Sequence, residues 1–345
     1  MREVPSFGIM SRKTLEGILS NIRQELNPGD HITFAFQGGE PTLAGLEYFR
    51  DFTRITDEWK DVTVNLALQT NGILLDDRWA EYLRAHRYLV GISYDILPKD
   101  HDACRVDSGG EGTGNRVLQA IRLLERHRVD YNVLCTLTSQ IARHPALVWK
   151  QILSLDLKYV QFTPCLDELD SPGTSVYALT PQRFARFYNQ LFPMWLEAYR
   201  RGEYRSIKFF DDVVNLIHYG VPTACGMNGT CQPQIVVEAD GSTYPCDFYC
   251  LDQWRLGNLG EEPLRKILAS PQYVAVRERE HIRPRLCGTC PYLRFCGGNC
   301  KRMQAQICCS GEDTFCGYRA FLDENRNALT QIAMEQRAYA EQVGR

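Results

Sequence analysis

Apolar and polar residues alternate along the first two hundred positions with two interleaved periods. Residues 11–26 carry Leu15, Ile18, Leu19 and Ile22 at helical spacing, and Ser11 stands where an N-cap belongs. A short β-type run, 31–36, then ends at Gln37-Gly38-Gly39-Glu40-Pro41. Further β-type runs lie at 62–68, 88–94, 131–138 and 158–163, separated by helix-like stretches at 46–59, 77–86, 115–127 and 145–155. Alternation at this length predicts an α/β fold built on a parallel sheet or barrel. In a barrel, function sits at the C-terminal ends of the strands, where Gln37-Gly38-Gly39-Glu40, Asn71-Gly72 and Ser93-Tyr94-Asp95 all fall. An amphipathic stretch at 181–201, capped by Thr180, closes this region. Beyond it the pattern breaks into short strands, turns and cysteines, so a boundary is expected near Tyr204: a first domain at 1–204, a second at 205–345, and a final helix at 323–343.

The chain has 345 residues and 44% hydrophobic residues, ample for a core. Net charge is −3 with both signs interspersed, which gives no basic face for nucleic acid. No apolar run approaches the roughly 20 residues that cross a bilayer, and the first residues lack the apolar stretch of a secretory signal. A cytoplasmic protein without nucleic-acid or membrane partners is expected. Cysteine changes the picture. Of fourteen cysteines only Cys104, Cys135 and Cys165 precede Cys225, and the other eleven lie between Cys225 and Cys316. With no sign of export, clustered thiols point to metal rather than to a disulfide framework.

Three blocks carry these cysteines. They are Cys225-Gly-Met-Asn-Gly-Thr-Cys231; Asp240-Gly241-Ser-Thr-Tyr-Pro-Cys246-Asp247, with an Asp-Gly hairpin turn; and Cys287-x2-Cys290-x5-Cys296-x3-Cys300, followed by Cys316. Two four-cysteine sites can be assembled from these eight residues. Neighbouring glycines permit the tight backbone needed to converge thiolates and to aim amides at sulfur. Structural zinc and iron–sulfur clusters both suit such a set. Cys250, Cys308 and Cys309 are left as spectators.

Phe34-Ala-Phe-Gln-Gly-Gly-Glu-Pro-Thr42, the Cys225–Cys231 block, Tyr244-Pro-Cys-Asp-Phe-Tyr249, Trp254-Arg-Leu-Gly-Asn258 and the last cysteine block, in this order, resemble the anaerobic sulfatase-maturating enzymes. These are radical S-adenosylmethionine (SAM) proteins with a C-terminal SPASM domain. The resemblance runs nearly end to end. It implies a partial (β/α)6 barrel followed by a domain holding two auxiliary [4Fe–4S] clusters. Cys225, Cys231, Cys246 and Cys300 would bind the first, and Cys287, Cys290, Cys296 and Cys316 the second. The backbone around Gly39 would meet the methionine amino group of SAM. Ser93 and Arg105 match positions that contact its carboxylate or ribose, and Leu166 matches one near the adenine. Asp247, beside a cluster cysteine, would be the general base. One local departure is Asp95-Ile96-Leu97-Pro98, where the family commonly has Asp-Gly-Pro.

By the same resemblance, a 5′-deoxyadenosyl radical takes a β-hydrogen from a cysteine or serine of an unfolded sulfatase polypeptide. Asp247 takes the thiol or hydroxyl proton, and an auxiliary cluster accepts the remaining electron. The product is Cα-formylglycine. A flavodoxin or ferredoxin would supply reducing electrons. The family's third, primary [4Fe–4S] cluster normally uses CxxxCxxC, and this chain contains no such motif. The resemblance places that motif, and a preceding strand, just before Met1. Two readings stay open: an N-terminally truncated record of an active enzyme, or a degenerate scaffold. As written, the polypeptide is expected not to cleave SAM. Another SPASM-type maturase that forms thioether or carbon–carbon crosslinks, and a non-catalytic iron–sulfur electron-transfer or peptide-binding module, are the alternatives.

Overall fold

The computed structural model describes residues 7–169, 173–231, 234–278, 282–309 and 314–343. Helix α1 (Arg12–Arg23) opens the chain, with the Ser11 hydroxyl accepting from the Thr14 amide at 3.0 Å. Six strands follow: β1 (His31–Phe36), β2 (Thr63–Thr70), β3 (Leu89–Ser93), β4 (Tyr131–Leu137), β5 (Tyr159–Pro164) and β6 (Ser206–Ile207). They form one sheet in chain order, every neighbouring pair parallel. Parallel pairing requires crossovers, and helices supply them. These are α2 (Leu46–Thr56), α3 (Asp77–Ala85), α4 (Pro98–Cys104), α5 (Gly114–His127), α6 (Pro145–Ser154) and α7 (Pro181–Arg200). One direction for all strands puts every strand's C-terminal loop on a single rim.

Periodicity explains the core. Leu68, Val90, Ile92, Val133, Leu137 and Val160 point from the strands against Leu83, Ile121, Leu124, Val148 and Ile152 of the helices, all buried. Each such side chain contributes about 1.5–3 kcal/mol of burial.

The parallel sheet continues past Tyr204, where the pattern of the sequence changes. β6 pairs with β5 beyond it, and α8 (Lys208–Tyr219) packs on β5. A two-residue strand carries no period to read, which is why the pattern alone ended the sheet at β5.

The remaining chain holds a small antiparallel sheet, β7 (Val236–Val237), β8 (Ser242–Tyr244) and β9 (Gly257–Asn258), with the Asp240-Gly241 turn between its first two strands. Short helices α9 (Leu264–Leu268), α10 (Pro271–Glu278), α11 (Leu293–Cys296) and α12 (Gln304–Ile307) follow, then the long α13 (Gly317–Val343). This segment is fastened to the first at two places. Leu256, Leu259, Ile267 and Tyr273 join Leu15, Ile18, Leu19 and Ile22 of α1 in one core, and the Asn21 side-chain amide donates to the Leu259 carbonyl at 2.8 Å. At the other end α13 lies along α7 and α8, with Phe321 among Tyr188, Phe192 and Phe210.

Candidate functional site

At the rim of the parallel sheet a cleft of about 210 Å³ is lined by Gly38, Gly39, Glu40, Gln69, Ser93, Arg105 and neighbours. The sequence-derived candidates Gly39, Ser93 and Arg105 therefore share one space. Gly38 and Gly39 have φ of +83° and +44°, the left-handed region that an L side chain resists. Their backbone is held by Glu40. Its carboxylate accepts from the amides of Thr42 (3.0 Å) and Asn71 (2.8 Å) and from the Thr70 hydroxyl (2.7 Å). Glu40 thus pins the loops after β1 and β2 to each other rather than reaching for a ligand.

Arg105 is fixed in a similar way. Its Nε donates to Asp95 Oδ2 at 2.6 Å and its Nη2 to Oδ1 at 3.3 Å, while Asp95, 4% exposed, also accepts from the Thr136 amide at 2.9 Å. Behind this pair His101 is fully buried. The Asp95 amide donates to His101 Nδ1 at 3.1 Å, which assigns the ring proton to Nε2, facing Thr113 Oγ1 at 3.1 Å. The Thr113 hydroxyl donates onward to the Arg105 carbonyl at 2.9 Å. Burial lowers the His101 pKa, so the ring stays neutral. Sequence reading put Asp95 on the functional rim without giving it a role, and missed His101 and Thr113. The available signal was His101 four residues before Arg105, after a proline at a helix start. Leu166 is half-buried, two residues past β5, and is not among the residues lining the cleft. The Cys165 amide on the Leu137 carbonyl holds that segment against β4.

The eight cysteines of the later blocks gather in two groups. Cys287, Cys290, Cys296 and Cys316 line one apolar cavity, with Leu286 and Leu293. In the other group, Cys300 feels the charges of Cys225 and Cys231, and Cys246 feels that of Cys300. A Cβ on Gly226 (φ +72°) would meet the Cys300 Cβ at 2.6 Å, so these two blocks approach as closely as backbone allows. Among the described residues no three His, Cys, Asp or Glu side chains close on a point as a single metal ion requires. Four thiols around one cavity are the donor set that a [4Fe–4S] cluster takes. Amides are aimed at the sulfurs: Gly298 N–H at Cys296 Sγ (3.5 Å) and, at the start of α13, Arg319 N–H at Cys316 Sγ (3.4 Å). Burial pushes the Cys296 thiol up to about 11, so a bound cation is what would hold it as thiolate. Cys308 is buried in the same cavity and its hydrogen bond to Cys316 lowers the Cys316 pKa. Cys250 lies behind Cys246, its Sγ 3.6 Å from the Cys246 carbonyl.

Asp247 follows Cys246 at the start of a single 3₁₀ turn and is exposed. Its Oδ1 accepts from the Cys246 thiol and the Phe248 amide, each at 3.1 Å. It is not among the residues lining the rim cleft.

Residues 227–291 match the SPASM iron–sulfur cluster-binding domain. The cysteine-type anaerobic sulfatase-maturating enzyme of Clostridium perfringens is 39% identical over 307 residues, 87% of this chain and 82% of the relative. The chain belongs to the anaerobic sulfatase-maturating enzymes. Within that family the serine-type enzyme of Klebsiella aerogenes is 30% identical, over 85% of this chain and 72% of its own. A solved structure described as native anSMEcpe with bound AdoMet and Cp18Cys peptide superimposes with a TM-score of 0.87 at 36% identity, covering 95% of this chain and 92% of that one. This anaerobic sulfatase-maturating enzyme is accordingly a radical SAM enzyme that acts on a polypeptide, with SAM and [4Fe–4S] clusters as its cofactors. Among the described residues no helix is long and apolar enough to cross a membrane.

Proposed function

We propose that this enzyme oxidises a cysteine in an unfolded sulfatase segment to Cα-formylglycine. Support for cysteine over serine comes from the relatives, 39% identity to a cysteine-type enzyme against 30% to a serine-type one. The carrying observation is that Gly39, Ser93 and Arg105, widely separated in sequence, line one cleft on the strand rim. In this reading the backbone at Gly39 meets the SAM amino group. Ser93 and Arg105 address its carboxylate or ribose, and Leu166 offers an apolar wall to the adenine.

Bound SAM supplies hydrogen-atom abstraction, and the clusters supply electron transfer. The protein's own share is orientation and proton handling. Asp95 fixes the Arg105 guanidinium at the cleft, and Glu40 ties the glycine loop to the loop after β2. Asp247 would take the proton from the substrate thiol, beside the first cysteine cage, where the electron that leaves with it can be received. Loss of the β-hydrogen atom, this proton and one electron leaves a thioaldehyde, which water hydrolyses to the formylglycine aldehyde with release of hydrogen sulfide. The cages are Cys225, Cys231, Cys246 and Cys300, and Cys287, Cys290, Cys296 and Cys316. A small one-electron carrier such as flavodoxin or ferredoxin provides reducing equivalents, and the cytoplasm is the compartment. We place the domain boundary after α8, near residue 220, because β6 belongs to the first sheet and α8 packs on β5 and β6.

The test supplies the chain with an N-terminal CxxxCxxC segment, reconstitutes it without oxygen, and adds SAM, reductant and a Cys-x-Pro-x-Arg peptide. Aldehyde formation at that cysteine, read by mass spectrometry and hydrazide labelling, is expected. A thioether or carbon–carbon crosslink on the peptide would replace this reading with the alternative maturase chemistry.

A further inference from the structure

Tyr318, in the first turn of α13, is a buried phenol that the chemistry above does not use. It is 2% exposed, and its hydroxyl has no hydrogen-bond partner among the described residues. A donor placed so is costly unless something accepts from it. The cavity it lines is that of Cys287, Cys290, Cys296 and Cys316. The charged groups that act on the phenol are Cys296, Cys308 and Cys316 on this side and Asp212 of α8 on the other. Asp212 is already engaged, accepting from Lys208 Nζ at 2.7 Å and from the Thr223 hydroxyl at 2.7 Å. The cavity that Tyr318 lines offers sulfur as an acceptor.

The ring is packed among aromatic neighbours. Phe184 and Phe209 flank it, with centroids at 6.5 and 5.9 Å. The helix start is clamped as well: the Gly317 amide donates to the Cys308 carbonyl at 2.8 Å, and a Cβ on Gly317 would press on the Ile307 carbonyl oxygen at 2.6 Å. Backbone and ring contacts therefore hold Tyr318 at the wall of the sulfur cage, independently of what fills it.

We propose that the Tyr318 hydroxyl donates a hydrogen bond to sulfur of the second auxiliary cluster and thereby raises that cluster's reduction potential. Reduction adds negative charge that spreads onto the sulfurs, so a donor stabilises the reduced form more than the oxidised one. Tyr318 is a positioning residue in this role, setting how readily the cluster holds the electron taken from substrate. The inference rests on the reading of those four cysteines as a cluster cage.

The test uses the full chain, reconstituted anaerobically with iron and sulfide, and compares it with Tyr318→Phe. Iron content is measured first, then the potential of each cluster by an EPR-monitored titration, then the Fe–S stretching bands in H2O and D2O. The variant is expected to keep both clusters, to shift the second to a more negative potential with the first unchanged, and to lose a D2O-sensitive component. Site-specific 3-fluorotyrosine at position 318, a stronger donor of nearly the same shape, is expected to shift that potential the opposite way. Equal potentials in all three proteins at full iron load would overturn the proposal while leaving the cage intact. Finding no cluster on these four cysteines would overturn the cage and the proposal together.

Discussion

Glu40 shows how a residue in a cofactor loop serves that loop without touching cofactor. One of its oxygens takes the Asn71 amide at 2.8 Å and the other takes Thr42 and Thr70. Glu40→Gln turns one acceptor into a donor facing a donor, at a cost of about 1–3 kcal/mol. The urea midpoint should fall, and SAM affinity by equilibrium binding should weaken with it. His101 gives a pH signature. Its neutral form is built in by the Asp95 amide and by burial, with Asp95 and Asp102 opposing the shift and Arg105 adding to it. The unfolded chain takes up a proton near pH 6.5, and the folded chain only at lower pH. Below about 6.5 the unfolded state binds more protons, so stability falls as pH drops and is fully present above that value. Urea titrations at pH 7.5 and 5.5 should show the loss, and His101→Asn should flatten it. At Asp247, replacement by asparagine removes the proton acceptor and keeps the shape. Peptide oxidation should drop by about 10²–10⁴-fold, with iron content unchanged.

Elements with a period were legible from the sequence. β1 was expected at 31–36 and is His31–Phe36, and α5, α6 and α7 agree with expectation to within one residue at either end. Elements without a period were not. β6 is two residues long, and α4 is seven residues begun by Pro98, inside the loop where the family pattern itself departs. The cysteine blocks were legible as blocks, because sequence spacing states which thiols are local. Their division into two groups depends on loop approach across long separations, such as Gly226 against Cys300, which spacing does not carry. The same contact gives a prediction at this scale. Gly226→Ala adds a Cβ at 2.6 Å from the Cys300 Cβ at a φ of +72°. The first cage should open and about four irons be lost, while circular dichroism of the barrel stays unchanged.

Across the whole molecule, the parallel sheet and the cysteine-rich segment are one structure rather than two beads. α13 returns to pack on α7 and α8, and residues 256–273 share a core with α1. The rim cleft was legible through Gly39, Ser93 and Arg105. His101 and Tyr318 were hidden, and Asp95 was placed on the rim without a role, because their meaning lies in burial and partners rather than in residue type. We propose that eight of the eleven cysteines from Cys225 to Cys316 hold two cubane clusters, the first of them beside Asp247. Iron, sulfide and zinc analysis of the anaerobically reconstituted chain, with Mössbauer spectra of the iron, tests it most directly. About eight irons per chain, all in [4Fe–4S] form, are predicted; stoichiometric zinc with no iron would contradict the account.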